Sequence, residues 1–304
     1  MKPCQIPTPL QPGDLLRVIA PSGTLREFTA FEKGIELWRD RGYQIQLTDG
    51  FDDRWGYLAG TDQARRTQLE TALKDSNCRG ILCARGGYGG ARLLENWTVP
   101  LSESKSEPKW LIGFSDITSL LWSFSQQGIS GVHAPLLTTI ATEPDWSIQR
   151  LFDWVEKKLL PPIQGTGWGN GQVTGLLLPA NLTVATHILN TPLQPDLSGV
   201  ILALEDVSEA PYRIDRMLTQ WRSSGAFQPI RGIALGRFSQ CEPPANAPSF
   251  SVEEVMRDRL SDLGIPIVSD LPFGHDGENA ALPVGIPVLL DGDQGILSFP
   301  DAKD

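Results

Sequence analysis

A chain of 304 residues, 40% hydrophobic and 20% charged, can bury the cores of two ordinary domains, which excludes a disordered or fibrous protein. Its formal net charge of -10 repels nucleic acid and anionic lipid, so neither is expected as a partner. The opening run Met1-Lys2-Pro3-Cys4 lacks the apolar core of a signal peptide and no stretch reaches membrane-span length, so a cytoplasmic location is expected.

The first half alternates short apolar runs with amphipathic stretches, the pattern of βα units around a largely parallel sheet. Residues 15–20 read as the first strand, stopped by Pro21-Ser22-Gly23. Phe31, Ile35, Leu37 and Trp38 then recur at helical spacing, and Gly42 ends that helix. Residues 43–47 alternate like a strand, and Thr61-Asp62 can cap a helix carrying Leu69 and Leu73. Residues 80–84 and 110–112 are buried strands, and each strand runs into a loop rich in Gly, Ser or Asp. In α/β sheets such carboxyl-end loops bind ligands. The four cysteines form no CxxC pair and read as small buried hydrophobes.

A Pro/Gly-rich segment, 161–172, reads as a linker. Beyond it, strand-like runs at 173–178, 200–204, 233–235, 265–268 and 286–290 enclose helical patterns at 181–189, 212–222 and 252–263. The expected fold is therefore α/β, in two domains. A parallel-sheet domain covers residues 1–160, and a smaller, mixed, β-rich domain covers 173–304.

In Gly113-Phe114-Ser115-Asp116 an apolar strand stops at glycine and a helical pattern begins at once. A serine there meets the unpaired amides and positive dipole end of a helix, which can stabilise charge on an attacked carbonyl. The segment resembles the nucleophile elbow G-x-S-x-G, although Ile117 takes the last glycine's place. Taken alone it is better read as a helix N-cap made by Ser115 or Asp116, since caps are common and elbows rare.

A serine hydroxyl needs a base, and the chain has three histidines. His187 lies in an apolar helical pattern and reads as a core residue. His133, at a strand end, reads as structural or as lining the pocket. His275 stands in a polar loop between apolar strands and is the best candidate base. Glu205 ends the apolar strand 199–204, where a carboxylate is costly unless a partner such as a histidine N–H satisfies it. The loop Arg85-Gly86-Gly87-Tyr88-Gly89-Gly90 lacks the Lys-[Ser/Thr] of a phosphate loop, and its glycines would let the backbone approach a ligand. No metal-binding pattern is readable, and no cofactor is expected.

Together these segments resemble the LD-carboxypeptidase family of serine peptidases, the muramoyltetrapeptide carboxypeptidases. The matching stretches are Ile19-Ala20-Pro21-Ser22-Gly23, Leu58-Ala59-Gly60-Thr61, Arg85-Gly86-Gly87-Tyr88-Gly89, Gly113-Phe114-Ser115-Asp116, Leu204-Glu205-Asp206 with Pro211-Tyr212-Arg213-Ile214-Asp215-Arg216, and Phe273-Gly274-His275. The resemblance implies Ser115 as nucleophile, His275 as general base and Glu205 as the residue orienting it. It also implies an oxyanion hole of the Asp116 N–H and a glycine of the 86–89 loop, here assigned to Gly87. A homodimer and a site formed between the two domains are implied as well. Where relatives often show Gly-Gly-Asn, this chain has Pro179-Ala180-Asn181.

The reaction implied is release of terminal D-alanine from a muropeptide tetrapeptide. Such a substrate carries a free terminal carboxylate, which suits a bidentate arginine. Arg85 is the candidate anchor, with Tyr88 beside it as a substrate-binding residue; Arg213 and Arg216 are the next candidates behind Arg85, unless they are structural and pair with Asp206, Glu209 or Asp215. Some relatives instead resemble immunity enzymes that cleave a peptidyl-nucleotide antibiotic. Those need an aromatic surface for a base, which Trp168 would offer unless it packs as a structural plug. A third reading is a non-catalytic ligand-binding α/β module.

Overall fold

The computed structural model describes residues 1–101, 107–243, 245 and 248–299, so positions 300–304 of the expected second domain lie outside the described residues. In the first half, apolar runs form strands and the stretches between them form helices. The strands are β1 (Leu15–Ile19), β2 (Gln44–Leu47), β3 (Cys78–Cys83), β4 (Trp110–Gly113) and β5 (Val132–His133). Between and after them come α1 (Phe28–Asp40), α2 (Asp62–Lys74), α3 (Gly90–Leu93), α4 (Thr118–Gln126) and α5 (Asp145–Lys157). Thr61 caps α2, its hydroxyl accepting the Ala64 amide at 3.1 Å.

β1 pairs in parallel with β2 and β3, β3 with β4, and β4 with β5. These central strands read as unbroken apolar runs because helices cover both faces of the sheet. On one face α1 and α5 share a cluster with Phe31, Ile35, Trp38, Leu151 and Phe152. On the other, α2 and α4 bury Leu69, Leu73, Leu120 and Leu121. Each such leucine contributes about 1.5–3 kcal/mol on leaving water.

The second half contains β6 (Ile163–Gln164), β7 (Thr166–Gly167), β8 (Gln172–Asn181), α6 (Leu182–Ile188), β9 (Val200–Val207), α7 (Pro211–Ser223), β10 (Gly232–Ser239) and α8 (Val252–Leu260). It continues with β11 (Ile267–Ser269), β12 (Leu282–Pro283), β13 (Pro287–Asp291) and β14 (Ile296–Ser298). Eight of the strands form a mixed sheet ordered β6-β14-β13-β8-β9-β10-β11-β7. This corrects the expectation of a smaller C-terminal domain sheet, since the first sheet has six strands. The extra strands have a physical reason to be missed. β6 and β7 are two residues each and lie in the Pro/Gly stretch read as a linker, too short to show alternation.

β6 and β7 sit at opposite ends of that order, yet only Gly165 separates them in the chain. The sheet therefore closes on itself, which leaves it no open edge. Gly165 makes the join because any Cβ there would strike the carbonyl oxygen of Ser269. The interior is filled by Leu177, Ile201, Ala234, Val268, Phe273 and Val288. The outer face of β8, β9 and β10 joins the same core as α4, α6 and α7 through Leu178, Leu202 and Ile233.

The two halves interlock. β12 leaves the second half and pairs antiparallel with β5, Leu282 opposite His133, to become the sixth strand of the first sheet.

Candidate active site

β4 ends in buried Gly113, and the extended Phe114 leads into Ser115, whose φ is +63°. Left-handed backbone costs a non-glycine residue roughly 1–2 kcal/mol, so the turn is held by its surroundings. A 3₁₀ turn over Ser115–Ile117 then starts α4, and neither turn nor helix has a side-chain cap. The N-cap reading of this serine is thereby removed.

The glycine-rich loop leaves the end of β3 and meets this turn. A Cβ on Gly86 would lie 3.0 Å from both Cβ and Oγ of Ser115, so only glycine lets the loop approach so closely. Asp116 fixes the loop's far end. Its buried carboxylate accepts the Gly90 amide at 2.6 Å and the Ser22 hydroxyl at 2.6 Å. Burial pushes the Asp116 pKa up, and these two hydrogen bonds oppose the shift. The buried Arg65 guanidinium donates to the carbonyls of Gly89 and Pro21 and so ties the same loop to the end of β1.

From the second sheet, β9 delivers Glu205, fully buried, whose Oε2 lies 2.6 Å from Nδ1 of His275. The His275 ring sits 4.5 Å from the ring of Phe114, the residue before Ser115. Burial opposes protonation of His275, but the Glu205 carboxylate, helped by Asp206 and Asp276, outweighs it and raises the pKa. The histidine and the carboxylate, 70 positions apart in sequence, are thus placed beside the serine turn.

Sheet register gives Asn181 a role that the sequence pattern does not show. Asn181 ends β8 directly opposite Glu205 on β9. Its Nδ2 donates to Glu205 Oε1 at 3.3 Å and to Asp206 Oδ1 at 3.0 Å, and its backbone N–H donates to Thr118 Oγ1 on α4. Asp206 also accepts the amide and hydroxyl of Thr183. Burial and the neighbouring Glu205 still push the Asp206 pKa up to about 6. Asp206 went unnoticed as a site residue because its role depends on strand pairing.

A cavity of about 1050 Å³ opens on Ser115, Asp116, Gly87, Tyr88, Asn181 and Asp206. Tyr88 is exposed at its mouth, its ring 5.8 Å from that of Tyr57. Arg85 is placed differently from the sequence expectation. Its guanidinium faces Glu27, with Nε 3.0 Å and Nη2 3.5 Å from the two carboxylate oxygens, and it is absent from the cavity wall. Arg213 pairs with Glu209 at 3.4 Å, and both Arg213 and Arg216 lie over Tyr212.

The other histidines separate. His133 is fully buried between Phe114 and Phe273, and burial pushes its pKa down to about 4. His187 is exposed and lines the cavity, which corrects its reading as a core residue. The buried residues of α6 are Leu182, Ala185 and Ile188, a stripe that leaves position 187 on the open face. Trp168 does not line the cavity. It donates to Ser269 Oγ at 3.0 Å with Arg257 stacked 3.8 Å above it, as a structural plug.

Fold and site together are those of a serine hydrolase built from two α/β sheets. Models of the LD-carboxypeptidase N-terminal and C-terminal domains match residues 16–134 and 174–290. The chain belongs to the LD-carboxypeptidase family. It is 57% identical over 293 residues, 96% of either chain, to a Synechocystis sp. relative that bears a carboxypeptidase name with no stated substrate. It is 30% identical to the murein tetrapeptide carboxypeptidase of Pseudomonas aeruginosa, covering 91% of this chain and 93% of that one. Among solved structures, the muramoyltetrapeptide carboxypeptidase of Oxalobacter formigenes is similar at TM-score 0.81 and 29% identity, covering 93% of this chain and 97% of that one. The microcin C7 self-immunity protein MccF shares the fold at TM-score 0.86 and 20% identity, covering 97% and 98%. Among the described residues no helix is long and apolar enough to cross a membrane.

Proposed function

We propose that the chain is a serine LD-carboxypeptidase that releases terminal D-alanine from a muramoyl tetrapeptide, acting on cytoplasmic muropeptides in wall recycling. The observation that carries this reading is the 2.6 Å contact of His275 with Glu205, set against the Ser115 turn through Phe114. Ser115 attacks the carbonyl before the last residue while the free Nε2 of His275 takes its proton. Glu205 holds Nδ1–H, which fixes tautomer and orientation and stabilises the imidazolium that forms. The oxyanion rests on the N–H groups of Asp116 and Gly87. His275 then returns its proton to the leaving D-alanine amine, and water hydrolyses the acyl-enzyme by the same route. The murein and muramoyl names of relatives at 29–30% identity support the substrate class.

The test is incubation with muramoyl tetrapeptide, wild type beside Ser115→Ala, and mass spectrometry of the product. Loss of one alanine in the wild type alone is expected, and an unchanged mass in both would sink the reading. A second reading is an amidase of the immunity type that cleaves a peptidyl-nucleotide. The higher TM-score to MccF, 0.86 against 0.81, supports it, as does Trp97, an aromatic side chain in the cavity wall. Turnover of an aminoacyl sulfamoyl-adenosine in place of the muropeptide would select it.

A further inference from the structure

The cavity is longer than the peptide that the proposed reaction requires. Its wall includes Ser115, just before α4, as well as Ser123, Gln126 and Gln127 toward the other end of that helix. At helical rise that path is about 18 Å. A carboxypeptidase that removes one residue has only that residue on the leaving side, so the long arm belongs to the acyl side. Three extended residues span at most about 10–11 Å, which leaves about 7 Å, the width of one ring.

We propose that this far end, between Trp97 and the exposed face of α6, binds the neutral sugar ring that carries the peptide. The proposal rests on the muropeptide reading. Trp97 is half-buried in the wall, and the Arg66 guanidinium 5.7 Å from its ring centre is itself fixed by the carbonyls of Leu93 and Glu95. A rigid indole of this kind offers an apolar plate to the C–H face of a pyranose. Beside it Asn96 is held at φ +53°, and the exposed Glu95, Asn96 and His187 offer polar groups to hydroxyls. Charge favours a neutral occupant over a phosphate-bearing one. The arginine lining the cavity, Arg92, is bound to Asp62 at 2.7 Å, and among the described lining residues there is no other Lys or Arg.

The experiment measures D-alanine release from the free tetrapeptide and from muramoyl tetrapeptide by wild type, Trp97→Ala and His187→Ala. In the wild type kcat/KM should favour the sugar-bearing substrate by about tenfold, the worth of one aromatic contact. In Trp97→Ala that ratio should fall toward one, chiefly through KM. In His187→Ala, whose exposed position spares the fold, it should fall by a smaller factor. Equal kcat/KM for the two substrates in the wild type, or a ratio unmoved in both variants, overturns the proposal. Release from neither substrate by the wild type overturns the muropeptide reading beneath it.

Discussion

The carboxylate of Asp116 accepts the main-chain N–H of Gly90 at 2.6 Å, so the residue after Ser115 clamps the loop that passes beside Ser115. The Ser22 hydroxyl completes the clamp, and three strand ends, those of β1, β3 and β4, meet on one side chain. Main chain and side chain of Asp116 thereby serve both halves of the proposed oxyanion hole.

Asp116→Ala should therefore damage catalysis more than binding. Two buried donors lose their acceptor, at about 1–3 kcal/mol each. With the loop loosened, kcat should drop by about 10²-fold or more while KM changes little. Urea melts and steady-state kinetics on the same preparation check both parts. An unchanged kcat would show that the Asp116 carboxylate does not hold the loop in its catalytic position.

Glu205→Gln should move the pH profile. The base works neutral, so kcat/KM rises with pH through the His275 pKa, which the buried carboxylate holds above the ordinary 6.5. Removing that carboxylate leaves desolvation opposed by Asp206 and Asp276 alone, and the rising limb should shift to lower pH. The plateau should fall by about three to four orders of magnitude. The sign for stability follows from the same raised pKa. The pair's contribution is full below the unfolded imidazole value and is lost as pH rises through the folded one. A limb that stays in place would separate Glu205 from His275.

Asp206→Asn should flatten stability against pH on the acid side. The folded Asp206 holds its proton up to about 6, against 3.8 unperturbed. Its stabilising contribution is thus present below 3.8 and lost as pH climbs to about 6. Asparagine has no such loss, so the variant's Tm should gain on wild type between these values. Parallel Tm curves across the window would contradict the shift.

Glu27→Gln should lower KM for a carboxylate-ended peptide if Arg85 is the anchor, because Glu27 now fills the guanidinium fork that the substrate would need. Arg85→Leu should raise KM for the acid and spare the amide. Matched effects on acid and amide would strike Arg85 from the substrate site.

Part of the candidate site was legible because histidine is scarce, three in the chain, and the serine and glutamate are oddly placed. One serine followed a strand-ending glycine, one histidine stood in a polar loop, and one glutamate ended an apolar strand. The structure puts Glu205 and His275 in contact. What pairing across distance decides was not legible. Glu27 lies 58 positions from the arginine it occupies, and Asn181 reaches Glu205 through sheet register. His187 is a different case, since the stripe of Leu182, Ala185 and Ile188 was readable and already turned position 187 outward. The eight-stranded closure escaped because two-residue strands carry no period.

The return of β12 to the first sheet has a consequence for synthesis. A ribosome releases the Ser115 turn early, but the strand that finishes its sheet, Leu282–Pro283, emerges about 170 residues later, after His275. A nascent or truncated chain holds Ser115 without its proposed base, on a sheet that lacks its sixth strand. Assembly of the proposed triad therefore waits on the segment from His275 to Pro283, and termination before it leaves an inert fragment instead of a poorly selective hydrolase.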